Sequence, residues 1–332
     1  MKGSGEQTPM VDGGAGVGSE KRDEKRERQT QFLLRLLGKE IQQYLQDPAI
    51  VEILLNPDGS VWVDVLGGEM ECRSRLDAGN ARMIIDTVAS ILGTTISTEC
   101  PIISGELPLD GSRFEGIIPP LVTSPTFTIR KKALLIFTLA DYVAKGILTQ
   151  EQQNVLLQAV DARQNILVAG GTGTGKTTLA NAILHAISER SAQHRIVIIE
   201  DTRELQCAAP NTVFLRTSDT IDMTRLLRST MRLRPDRIVV GEVRGPEALA
   251  LLKAWNTGHP GGIGTVHAND ARAALIRVGQ LIQEANVPPA PQLIAEAVNL
   301  VVSIKRTATG RIVDEIVRVE GFRDGEFVTA FI

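Results

Sequence analysis

The chain has 332 residues, 43% of them hydrophobic, which suits about two globular domains and excludes a wholly disordered chain. A formal net charge of −3 argues against a nucleic-acid coat, and no stretch nears the roughly 20 apolar residues of a membrane-crossing helix. Cys72, Cys100 and Cys207 lie far apart with no CxxC pair, the pattern of reduced cytosolic thiols rather than of a disulfide framework.

Residues 1–31 are rich in Gly, Ser and charge, including the run EKRDEKRER. They lack the apolar core of a secretory signal and read as a flexible tail with room for helix at its end. From Phe32 the pattern changes. Phe32, Leu33, Leu36, Leu37, Ile41, Tyr44 and Leu45 recur at helical spacing. VEILLNPDGSVWVDV reads as two strands around an Asn-Pro-Asp-Gly turn, and a helix is predicted from Ala81 to Leu92. Short strands follow near Phe114–Ile118 and Thr126–Lys131, so residues 32–132 form a small α+β domain.

Residues 133–150 read as a linker into a second domain, 151–332. There the order is NILVAG, KTTLANAILHAI, RIVIIED, TVFLR, DRIVVGEV and GGIGTVHA. Apolar runs alternating with helices predict an α/β domain with a parallel, doubly wound sheet.

Gly170 to Thr177 match G-x-x-x-x-G-K-[ST] completely, directly after an apolar strand and opening a helix. The backbone of Gly171, Thr172, Gly173, Thr174 and Gly175 is expected to cradle phosphate, with Thr178 completing the GGTGTGKTT run. Lys176 is expected to reach the β- and γ-phosphates of ATP, and the Thr177 hydroxyl to bind Mg²⁺. The positive end of the helix dipole points at the same anion.

DRIVVGEV ends near Glu242, where a carboxylate at a strand's carboxyl end can orient the attacking water. RIVIIED ends at Glu200 and Asp201, with Glu204 three residues on. Glu200 is favoured over Asp201 for Mg²⁺, since Asp201 can instead cap the next turn. In the glycine-rich segment Gly258–Asn269 a loop enters a strand with His267 at its end, and His267 is read as a γ-phosphate sensor; zinc fits poorly, with no Cys or third His at ligand spacing.

Four segments, GGTGTGKTT, IIEDTREL, IVVGEVRGPEAL and GHPGGIGTVHAND, with LLRSTMRLRPD before the third, resemble the Walker A, Asp box, Walker B and His box of the type II/type IV secretion "traffic ATPases". The resemblance covers roughly residues 100 to 280, and the compact size favours the VirB-type and conjugal-transfer (TrbB-like) branch. It implies a RecA-like P-loop NTPase domain behind the smaller N-terminal one, with nucleotide between them. It further implies homohexameric rings at the cytoplasmic face of an inner-membrane secretion machine. In this branch N-terminal arginines reach the phosphates, here Arg113 in GSRFEGIIPP and Arg130 in FTIRKK, with Lys131 weaker. Arg225, Arg228 and Arg232 rank lower, as residues acting across a subunit boundary. Two other readings are a helicase acting on DNA and a metabolite kinase. The first lacks a basic, aromatic-interleaved strip and the second lacks a substrate lid.

Overall fold

The computed structural model describes residues 16–65, 68–132, 137–218, 220–307 and 310–332. The chain divides into two compact units after Lys132.

The first unit opens with helix α1 (Gly16–Gln46), broken at Gly38, where φ is 70° and ψ 172°. Leu33, Leu37 and Ile41 bury one face of it. Strands β1 (Ile50–Leu55), β2 (Ser60–Val65) and β3 (Met70–Arg75) precede helix α2 (Ala78–Leu92), and β4 (Ile102–Glu106), β5 (Arg113–Ile117) and β6 (Thr126–Arg130) follow it. They form one antiparallel sheet in the order β3-β2-β1-β6-β5-β4. Ile84, Ile85 and Val88 of α2 share a core with Ile53, Leu55, Phe114, Phe127 and Ile129. Each such aliphatic side chain contributes about 1.5–3 kcal/mol through burial. Alternation along β5 and β6 places Arg113, Glu115, Thr128 and Arg130 on the opposite face.

Two boundaries differ from expectation. Residues 1–15 of the expected tail lie outside the described residues, but 16–31 belong to α1. Helical pairings carry the charged run onto the anchored part of the helix. Arg28 pairs with Glu24 at 3.7 Å, and Gln29 Nε2 donates to Ser90 Oγ of α2 at 2.8 Å. The expected linker holds helix α3 (Leu139–Ala144) and the start of α4 (Gln150–Asp161). Thr138 with Asp141, and Thr149 with Gln152, form reciprocal capping boxes. Leu139, Tyr142 and Leu148 are buried in the second unit's core.

After α4 come β7 (Ile166–Gly170), α5 (Lys176–Arg190), β8 (Ile196–Glu200), β9 (Thr212–Arg216), α6 (Met223–Thr230) and β10 (Arg237–Val243). Then follow α7 (Glu247–Asn256), β11 (Ile263–His267), α8 (Ala271–Gln283) and α9 (Pro291–Ala297). Strands β12 (Leu300–Thr307), β13 (Gly310–Arg323) and β14 (Glu326–Phe331) end the chain. The sheet order is β14-β13-β12-β7-β11-β10-β8-β9. Strands β12 through β9 in that order run parallel, and β12-β13-β14 is an antiparallel meander.

Strands β7 and β8 are buried at every position, as continuous apolar runs demand. Leu167, Val197 and Ile199 pack toward Leu251 of α7 and Leu275 of α8. Ile166, Val168, Ile196 and Ile198 pack toward Leu179 and Ile183 of α5. The P-loop, the ends of β8 and β10, and His267 thus come to the carboxyl edge of one sheet. Arg237, at the start of β10, is 1% exposed. It donates to His194 Nδ1 at 3.0 Å, Gly261 O at 2.9 Å and Val160 O at 2.9 Å. Burial pulls its pKa down to about 10, but these acceptors keep the cation satisfied.

Candidate active site

The loop from Gly171 to Gly175 joins β7 to α5. Gly173 and Gly175 have φ of 69° and 99°, a left-handed backbone that glycine adopts without a Cβ clash. Gly175 is the N-cap of α5 and offers no side-chain cap, so the first-turn N–H groups face the cradle. Lys176 is 8% exposed, and its Nζ donates to the Gly171 carbonyl at 2.8 Å. Thr174 Oγ1 donates to the same carbonyl at 3.0 Å. Two donors on one carbonyl hold the loop curled.

Thr177, on the first turn of α5 with Thr178, donates to Glu204 Oε2 at 3.2 Å. Glu204 is brought there by the segment after β8. The Glu200 carboxylate is 3% exposed, and its Oε1 accepts from the N–H of Glu204 at 3.0 Å and of Leu205 at 2.9 Å. The two glutamates therefore do different work from that expected. Glu204 touches the Thr177 hydroxyl, whereas Glu200 holds the loop that presents it. Gly241 of β10 belongs to the same arrangement, since a Cβ there would sit 2.8 Å from Glu200 Cγ.

Burial raises the Glu200 pKa to about 7, although its two backbone donors oppose that. A carboxyl whose folded pKa is raised stabilises the fold fully below pH 4.5 and loses that contribution as pH rises to about 7. The nucleotide-free protein is expected to lose roughly 1–3 kcal/mol of stability from this group over that interval. Glu200→Gln keeps an acceptor for both N–H groups, so urea midpoints of this variant should be flatter with pH. An unchanged pH dependence would show that Glu200 titrates normally.

Glu242 lies next to the end of β10 and His267 at the end of β11. His267 Nε2 is 3.9 Å from Glu242 Oε1 and 3.4 Å from Thr172 Oγ1. Burial first and Lys176 second lower the His267 pKa against the pull of Glu242, and this lowering favours the neutral ring. Its tautomer decides which partner of the Thr172 contact donates. Burial alone would raise the Glu242 pKa, but its bond to Arg244 and the charges of Arg244 and Lys176 hold it below the usual range.

Arg244 escaped the sequence reading. Its guanidinium bonds to Glu242 Oε2 and lies 3.8 Å from Asp201 Oδ2. The signal was present, because an arginine two residues after a catalytic carboxylate on an extended strand end shares its face. Asp201 accepts from Thr217 Oγ1 at 2.9 Å as well as facing Arg244, rather than capping a turn.

In the first unit, Arg113 and Arg130 are direct cross-strand partners on β5 and β6. Arg130 Nε lies 3.4 Å from Glu52 Oε1. Lys131 is engaged elsewhere: its Nζ donates to Tyr44 O at 3.0 Å and Asp47 O at 2.6 Å, closing the C-terminal end of α1. That contact gives it a structural job in place of the weaker phosphate role. Arg225, Arg228 and Arg232 are exposed on α6 and just beyond it. Among the described residues no group of three or more His, Cys, Asp or Glu is placed to hold a metal ion. No helix among the described residues is long and apolar enough to cross a membrane.

A family model described as type II/IV secretion system protein matches residues 37–316. A probable conjugal transfer protein TrbB of Sinorhizobium fredii is 52% identical, over 89% of this chain and 91% of that one. The conjugal transfer protein TrbB of Rhizobium radiobacter is 50% identical, over 88% and 91%. The X-ray structure of the Legionella pneumophila ATPase DotB superposes with a TM-score of 0.60 at 18% identity, covering 87% of this chain and 80% of that one. This last likeness concerns the fold.

Proposed function

The chain belongs to the type II/IV secretion system protein family, in the branch similar to TrbB, and from that premise we propose that it is an ATP-hydrolysing ring motor of type IV secretion. Its work is conjugative transfer or pilus assembly. One observation carries the reading: a complete phosphate loop, a Thr177–Glu204 pair, and Glu242 with Arg244 and His267 converge on one sheet edge.

Each residue then has a role. Lys176 leaves the Gly171 carbonyl for the β- and γ-phosphates when ATP binds. Thr177 and Glu204 would hold Mg²⁺, which would supply positive charge to the phosphate oxygens, and Glu200 fixes Glu204 in place. Glu242, once Arg244 turns away, orients the attacking water and takes its proton. His267, neutral and beside Thr172, reads the γ-phosphate and signals its loss. Arg113 and Arg130, cross-strand partners in the first unit, are proposed as the further phosphate-directed cations that the family resemblance implies.

The protein is proposed to act as a homohexamer, cytoplasmic and peripheral to the bacterial inner membrane, bound to membrane-embedded secretion proteins. Native mass measurement with Mg-ATP is expected to find six copies. A monomer under saturating nucleotide would overturn the ring. DNA transfer from donor cells carrying only Lys176→Ala should stop, and transfer at the wild-type frequency would overturn the motor role.

A further inference from the structure

Strand β12 pairs with β7 from Leu300↔Ile166 to Ser303↔Ala169, so the far end of the β12–β13 hairpin lies beside the phosphate loop. The approach is close, since a Cβ on Gly170 would sit 2.6 Å from Ile304 O. Arg311, near the start of β13, sends Nη2 to the Gly173 carbonyl at 3.2 Å. Its stem lies over Gly175, where a Cβ would meet Arg311 Cδ at 3.2 Å and Nε at 3.4 Å. Arg311 Nε is buried and has no acceptor among the described residues.

Two cations therefore hold carbonyls of one short loop, but they cannot both stay there. Lys176 must leave Gly171 to meet phosphate. Arg311 bonds a residue whose left-handed φ turns the following N–H groups inward. Its charge also offsets the negative end of the Gly173 carbonyl dipole. We propose that Arg311 is a positioning residue for the nucleotide, holding the phosphate loop in its binding shape through Gly173; this rests on the nucleotide-site reading above. The C-terminal hairpin, which lies beyond the four motif segments, is thereby part of the nucleotide site.

The test uses the full chain, with Mg-ADP binding followed by calorimetry and amide exchange of residues 171–178 followed without nucleotide. Arg311→Ala should weaken Mg-ADP roughly tenfold, the size expected for losing one charge-assisted contact. Exchange across the loop should quicken while the urea midpoint stays near wild type. Arg311→Lys, which keeps one donor, should return the affinity to within about threefold of wild type. Should Arg311→Ala fail to fold, Arg311→Met keeps the packing over Gly175 without the donor and decides by the same measures. Wild-type affinity or wild-type loop exchange in the donor-less variant would overturn the proposal. So would a fall in kcat with unchanged affinity, which would mark a direct contact to the reacting phosphate. Lys176→Ala is measured in parallel. Full affinity there would sink the nucleotide site itself, whereas loss there beside wild-type Arg311 variants sinks only the role of Arg311.

Discussion

Lys176→Ala should weaken Mg-ATP by at least about 100-fold, because two phosphate contacts to a cation are lost and each is worth roughly tenfold or more. Burial sharpens the expectation. Lys176 is 8% exposed at the uncapped start of α5, with its ammonium already held at the loop. Its loss also removes one of two donors from the Gly171 carbonyl, but Thr174 remains there. The fold should survive, with a urea midpoint close to wild type. Calorimetric titration decides. Affinity within a few-fold of wild type would remove Lys176 from the phosphates and with it the assignment of the loop.

Glu242→Gln should bind Mg-ATP normally yet turn it over about 10²–10⁴ times more slowly, the range for loss of a positioned proton acceptor. Glutamine keeps the shape and one acceptor for Arg244 but cannot take a proton from water. The pH dependence gives a second readout. Glu242 is faced by Arg244 on its own strand segment, by Lys176 from α5 and by His267 from β11, with Asp201 and Glu204 beside Arg244. The surrounding cations hold its carboxyl below 4.5, so the acid limb of kcat due to this group lies below that pH. Arg244→Ala removes the largest opposing influence and leaves burial to act, which should move the limb upward. Turnover of Glu242→Gln at the wild-type rate would place the base elsewhere.

The contrast between Glu200 and Glu204 explains why the site was only partly legible in the sequence. Glu200 ends an apolar strand and Glu204 follows it, and spacing cannot tell which carboxylate turns toward Thr177. That was decided by backbone geometry after β8, where two N–H groups find their acceptor in Glu200 and leave Glu204 facing out. Lys131 is a similar case. Its position after Arg130 suggests a phosphate contact, yet the last carbonyls of α1 claim its ammonium.

The helical content of 137–150 was hidden in the sequence for a different reason. Helix α3 is short, so the apolar periodicity is weak, although the capping boxes at Thr138 and Thr149 were written in the chain. The terminal meander of β12 to β14 carried no motif, and only register against β7 brings Ile304 and Arg311 to the loop.

The sequence by itself determined the phosphate loop, the parallel strands around it, and the family. Glycine spacing, one lysine and continuous apolar runs are local patterns whose chemistry does not depend on distant partners. Only the tertiary structure decided that Glu204 meets Thr177, that Arg244 holds Glu242, that Arg113 faces Arg130 across β5 and β6, and that Arg311 reaches Gly173. Those pairs join residues through sheet register, strand-end direction and buried donors, and which partner wins depends on hydrogen-bond competition that the linear order does not express.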